Sequence, residues 1–128
     1  MIVDSSAIVA ILLRQPGHER LVDLLVAAPS PGIGAPTLAE SGIVLTARLG
    51  IAGRTLLFRL VAEAELATVP FEEAHWPLAI DAFNRFGKGR HPAGLNYADC
   101  LTYATTRLAG EPLLALGDDF AKTDLDLV

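Results

Sequence analysis

Short apolar runs rich in β-branched residues alternate along this chain with longer segments of helical period, and Gly or Pro punctuates most of the junctions. A strand, a helix and a second strand joined in that order bring the chain back to the same sheet in the same direction, so this alternation prescribes βαβ crossovers and a parallel sheet. Both faces of such a sheet are covered by helices, which is why its strands read as continuous apolar runs instead of alternating ones. The fold class expected is therefore α/β, a three-layer α/β/α domain with a central, mostly parallel sheet. At 128 residues, 52% hydrophobic and 20% charged, one domain spanning 1–128 can bury its own core without a metal or disulfide staple.

Met1–Asp4 reads as a buried strand ending on a carboxylate. Ser5 or Ser6 is placed to cap an apolar helix, Ala7–Leu13, which Gln15-Pro16-Gly17 stops. Glu19–Ala27 is a short amphipathic helix, Ile33–Ala35 a short strand, and Pro36 suits the first turn of a helix over Thr37–Leu49. A further helix from Gly53-Arg54 to about Glu63 precedes a strand at Leu66–Phe71. Glu72–Phe86 has helical period with a late or bent start at Pro77, a loop follows over Gly87–Gly94, and a helix runs from about Leu95 to Leu108 with Gly110 as its C-cap. Pro112–Leu116 is a last strand, followed by an acidic tail.

Four acids lie in apolar or small-residue surroundings: Asp4 at the end of the first strand, Glu40 early in one helix, Asp99 early in another, and Asp118 after the last strand. Charged groups are seldom buried without a partner. Their convergence would suit a hard divalent cation such as Mg²⁺, which takes oxygen ligands and can activate water beside a phosphoryl group. Macrodipole and capping effects also favour acids at helix N-termini and account for Asp99 or Glu40 taken singly about as well. The net charge of −5 argues against nucleic acid as a partner, but four acids committed to a cation would take −5 to −1 and leave the basic loop to act locally. That loop gathers Arg85, Lys88, Arg90 and His91 within seven residues, directly before the Asp99 helix. It reads either as a phosphate-contacting segment or as a solvated loop.

His18, His75 and His91 lack the pair spacing of a zinc site. Cys100 is the one cysteine, which excludes an intrachain disulfide and reads as a buried helix thiol. No basic leader precedes the first apolar run, and Pro and Gly interrupt Leu24–Ala39, so a cytoplasmic protein with no membrane span is expected. Leu12, Leu13, Leu24, Leu25, Leu56, Leu57 and Leu60 offer more apolar surface than a small domain need bury, pointing to a homodimer and a groove for a partner protein.

Four segments, in order, resemble the PIN-domain family and within it the VapC-type toxins of toxin–antitoxin pairs. They are Met1-Ile2-Val3-Asp4-Ser5-Ser6-Ala7, Ala35-Pro36-Thr37-Leu38-Ala39-Glu40, Arg85 through Cys100, and Gly117-Asp118-Asp119-Phe120. The resemblance covers essentially the whole chain. It implies a PIN-like fold and an endoribonuclease that uses Mg²⁺ or Mn²⁺, an RNA substrate, and a cognate antitoxin as partner. Asp4, Glu40 and Asp99 match the family's acidic positions, and Ser6 matches the hydroxyl that supports the first of them. Asp118 or Asp119 supplies the fourth acid, with Asp118 favoured because it directly follows the strand and Asp119-Phe120 is similar to the family's Asp-Phe ending. The chain departs from the pattern at Ser5, where Thr is common, at Ala98, where Gly is frequent, and at Gly117, where many members carry an acid.

Two other classes compete with this reading. A phospho-receiver domain needs an acidic pair after the first strand, an acceptor Asp in mid-chain and a late Lys; here Ser5 follows Asp4, and Lys122 is too close to the end. A PIN fold that has lost catalysis and serves only to bind protein remains the nearer alternative. A haloacid-dehalogenase-type phosphatase would carry Asp-x-Asp where this chain has Asp4-Ser5-Ser6.

Overall fold

Neighbouring residues of a strand face opposite sides of their sheet, and here both sides of the central strands are apolar and buried. In the computed structural model, which describes residues 1–128, β1 (Ile2–Val3) turns Ile2 into one core and Val3 into another, and β4 (Leu113–Leu114) divides Leu113 and Leu114 in the same way. With β2 (Gly32–Gly34) and β3 (Ala67–Val69) these strands form one sheet in the order β3-β2-β1-β4, with every pairing parallel. The first core lies under α1 (Ser5–Leu12), α2 (His18–Ala27), α3 (Ala35–Leu49) and α4 (Ile51–Glu63). The second lies under α5 (Trp76–Phe86) and α6 (Tyr97–Ala109). The expected three layers are thus present, with four helices on one face and two on the other.

Several boundaries shift from expectation for local reasons. The cap of α1 is Asp4, not Ser5 or Ser6: its carboxylate accepts the Ser6 N–H at 3.0 Å. Asn96 caps α6, so that helix begins at Tyr97 and not at Leu95. The late start expected from Pro77 is observed: α5 begins at Trp76, with Pro77 in its first turn, where the missing N–H costs nothing. The acidic tail is structured as well. Leu113 N–H donates to Asp126 O at 2.9 Å and Val128 N–H to Leu113 O at 3.0 Å, so the tail covers the outer edge of β4.

The leucine surface expected for association is revised. Leu25 and Leu57 are core residues, and Leu12, Leu13, Leu24 and Leu60 pack against that core. Exposed apolar side chains lie elsewhere, at Val26, Ile43, Ile51, Phe58, Trp76, Ile80 and Phe83. A groove of about 700 Å³ opens between α3 and α4, lined by Leu38, Ile43, Leu57, Phe58 and Val61 among others. No helix is long and apolar enough to cross a membrane.

Candidate active site

The chain runs from β1 outward through β2 to β3 and returns to β4 on the other side of β1. Where strand order reverses in a parallel sheet, the connections leave in opposite directions and open a crevice beyond the strand C-termini. Asp4 follows β1 at that point, and Leu116–Asp119 follow β4. Ser6 ties the two ends together, its hydroxyl accepting the Leu116 N–H at 3.0 Å.

Asp4 is 4% exposed and every part of its carboxylate has a partner. Oδ2 accepts from Ser6 N–H, while Oδ1 accepts from the Thr102 hydroxyl at 2.9 Å across 98 residues of chain. Thr102 in turn bonds Thr37 at 3.1 Å, so the first turn of α3, the middle of α6 and the end of β1 share one buried polar relay. Gly34 allows this close approach, since a Cβ there would stand 2.9 Å from Thr105 Oγ1. Neither Thr37 nor Thr102 was singled out by sequence reasoning. The available signal was the set Thr102, Thr105 and Thr106, all buried on one apolar helix.

Asp99 closes a reciprocal cap with Asn96. Its backbone N–H donates to Asn96 Oδ1 at 2.9 Å, and its Oδ2 accepts the Asn96 N–H at 3.1 Å. Its proton affinity departs from that of an ordinary cap. Partial burial pushes the carboxyl up from 3.8 to about 6 against the opposing Asn96 hydrogen bond, and the negative charges of Asp4, Asp119 and Glu40 add to the rise. Repulsion among carboxylates disfavours the charged form, so these four acids share one field at the end of the sheet. Asp118, which the sequence favoured, and Asp119 are both exposed beyond β4, and the charge of Asp119 is among those that raise Asp99. Cys100, behind Asp99, is pushed up by burial and by that same charge, which leaves it a poor nucleophile.

The acids expected to converge on a cation gather at one end of the sheet without forming a ready ligand set. No three carboxylate, imidazole or thiol side chains stand close enough to ligate one ion together. One oxygen of each of Asp4 and Asp99, Oδ2, is instead bonded within its own helix cap, and Asp4 Oδ1 is held by Thr102. The chemistry of the donor set still fits Mg²⁺ or Mn²⁺, being entirely hard carboxylate oxygen.

The basic segment divides. Arg85 donates to Asp124 at 3.1 Å and to Tyr103 Oη at 3.3 Å, and so anchors the tail. Lys88 and Arg90 are exposed and take part in no ion pair. The His91 Nδ1 accepts the Ala93 N–H at 3.0 Å, which puts the proton of the neutral ring on Nε2. The base of the loop is fixed beside the capping box of Asp99: Leu95 N–H donates to Phe86 O at 2.9 Å, and Lys88 N–H to Leu95 O at 3.0 Å.

The profile of the PIN domain matches residues 1–125. The chain belongs to the PIN-domain family. Ribonuclease VapC36 of Mycobacterium tuberculosis is 50% identical to this PIN domain over 127 residues, which is 98% of this chain and 91% of that one. Ribonuclease VapC of Mycolicibacterium smegmatis is 38% identical over 128 residues, covering 100% of this chain and 99% of the relative. These relatives place the PIN domain in the VapC branch. Among solved structures, VapC20 of M. tuberculosis, a sarcin-ricin loop cleaving toxin, superposes with a TM-score of 0.80 at 17% identity over 99% of this chain and 97% of that one. VapBC2 of Rickettsia felis, solved with a fragment of its promoter DNA, gives 0.78 at 12% identity, covering 99% and 96%. These two likenesses establish the PIN fold.

Proposed function

We propose that this protein is the ribonuclease toxin of a toxin–antitoxin pair, an endoribonuclease dependent on Mg²⁺ or Mn²⁺. The observation that carries the reading is the gathering of carboxylates at the sheet's end, where burial first and then the charges of Asp4, Asp119 and Glu40 raise the Asp99 carboxyl, in a chain 50% identical to a protein named a ribonuclease. Asp4 and Asp99 would hold the cation, with Glu40 and Asp119 completing its surroundings or orienting water. Once bound, the cation lowers the pKa of water and neutralises charge on the phosphoryl group. Lys88 and Arg90 hold the RNA backbone, and His91 can donate from Nε2. Ser6 and Thr102 keep the Asp4 carboxylate in one orientation, as partners behind a ligand do.

The structure of VapBC2 supports an antitoxin as the partner. The apolar groove between α3 and α4 is the surface suited to it, and the exposed Val26 and Ile51 offer apolar surface for a homodimer. The lack of three acids placed to ligate one ion together favours one alternative, a PIN module that binds protein without catalysis. RNA cleavage separates the two readings. The purified protein should cut a structured RNA with Mg²⁺ or Mn²⁺ present and stop on addition of chelator. Intact RNA under both conditions would leave the binding module.

A further inference from the structure

One exposed stripe remains outside the site already described. Trp76, Ile80 and Phe83 stand at helical i, i+4, i+7 spacing on α5, with exposures of 54%, 52% and 40%. Phe83 ends the stripe where the basic loop begins, and the Arg90 guanidinium lies over its ring at 5.3 Å from the centroid. Gly87 makes that junction possible, since a Cβ there would sit 2.6 Å from the Phe83 ring. Gly87 is itself bridged to Leu95, the residue before the Asn96 cap of Asp99. An aromatic ring, a cation and the candidate catalytic acid are therefore linked by a short, hydrogen-bonded stretch of backbone.

The chemistry of the stripe selects its occupant. A purely apolar partner would leave Arg90 and Lys88 without counter-charge, and neither has a carboxylate partner in this acidic chain. A ligand presenting flat faces and phosphates together satisfies both groups, and unpaired RNA bases stack on aromatic rings and on guanidinium planes. The geometry points to the Phe83–Arg90 pair as a stacking site for an unpaired base of the RNA, with Trp76 available to a further base about 10 Å along the helix. This rests on the proposed ribonuclease reading and adds that the substrate is single-stranded beside the cut.

The test compares Phe83→Tyr with Phe83→Leu on a cleavable RNA. A lost base stack corresponds to about a fivefold or larger weakening, so Phe83→Leu should raise KM by about that factor with kcat little changed, while Phe83→Tyr keeps the parent's KM. A purely packing role would be satisfied by Leu, so equal KM values for Leu and Tyr overturn the inference. If the parent cuts no RNA, the ribonuclease reading fails on its own, and Trp76, the single tryptophan, still reports on binding. Its emission should fall with an oligouridine and stay constant with an abasic strand of equal length. Equal quenching by both strands, or no quenching by either, contradicts stacking. Emission that changes with protein concentration alone assigns the stripe to a second copy of the chain and also overturns the inference.

Discussion

Asp99 and Asp124 are the same residue type on the same side of one small domain, and their surroundings push them in opposite directions. Partial burial pushes up both. At Asp99 nothing cationic answers it, and three further acids reinforce it. At Asp124 the hydrogen bonds from Tyr103 and Arg85, with the Arg85 and Arg107 charges, outweigh burial and hold the carboxyl below its ordinary range. The Asp124 group is complete as it stands, and it locks the tail against α5 and α6. The Asp99 group is left short of positive charge, and it lies at the end of the sheet where we propose that a cation binds. Capping accounts for the positions of Asp4 and Asp99, but it does not account for the repulsion between them.

The largest effect that could break this comparison is on turnover. Asp99→Asn keeps the shape and removes one negative charge. Since partners behind a metal ligand already cost 10- to 100-fold, loss of a ligand should lower cleavage by about a hundredfold or more. Asp124→Asn should leave kcat within about twofold, because it touches no acid of the site. A single-turnover assay on both variants, with folding checked by circular dichroism, decides this; comparable losses in the two would erase the distinction.

Stability should divide the other way. Asp124→Asn removes charge-assisted bonds at a largely exposed site and should cost about 1 kcal/mol. Cation-free Asp99→Asn should be as stable as the parent or more so, since repulsion is relieved. Urea unfolding in chelator measures both.

The smallest effect is in pH dependence. The folded-state pKa of Asp99 is raised, so its contribution to stability is full below about pH 4 and is lost as pH climbs through about 6. Asp124 is lowered, so its contribution is present above about pH 4 and is lost as pH falls. In chelator, the melting temperature of Asp99→Asn should therefore vary less than the parent's between about pH 4 and 6, while Asp124→Asn should flatten the acid side. Curves identical to the parent's would show that neither carboxyl is shifted.

The parallel sheet, the six helices and the acids Asp4, Glu40 and Asp99 were legible because each has a local cause: an apolar run, a period, a Pro or Gly stop, or a charge in apolar surroundings. What could not be read depends on residues far apart in the chain. The Thr102 hydroxyl reaches Asp4 across 98 positions, and Arg85 meets Asp124 across 39. Arg85 therefore looked like part of the basic loop, since nothing nearby in sequence shows its partner. Asp118 and Asp119 are adjacent, and only the turn after β4 determines where each lies relative to Asp99. The caps were misplaced by one or two residues because Ser5, Ser6 and Asp4 are all competent caps, and only the folded geometry selects Asp4.

The central claim, that the end of the sheet is a cation site and the tail anchor is not, is tested most directly by titrating Mn²⁺ into the protein and measuring the free ion by electron paramagnetic resonance. The parent and Asp124→Asn should bind Mn²⁺ with the same affinity, and Asp99→Asn at least about tenfold more weakly. Equal affinity in the parent and Asp99→Asn, or no binding by the parent, would contradict the account.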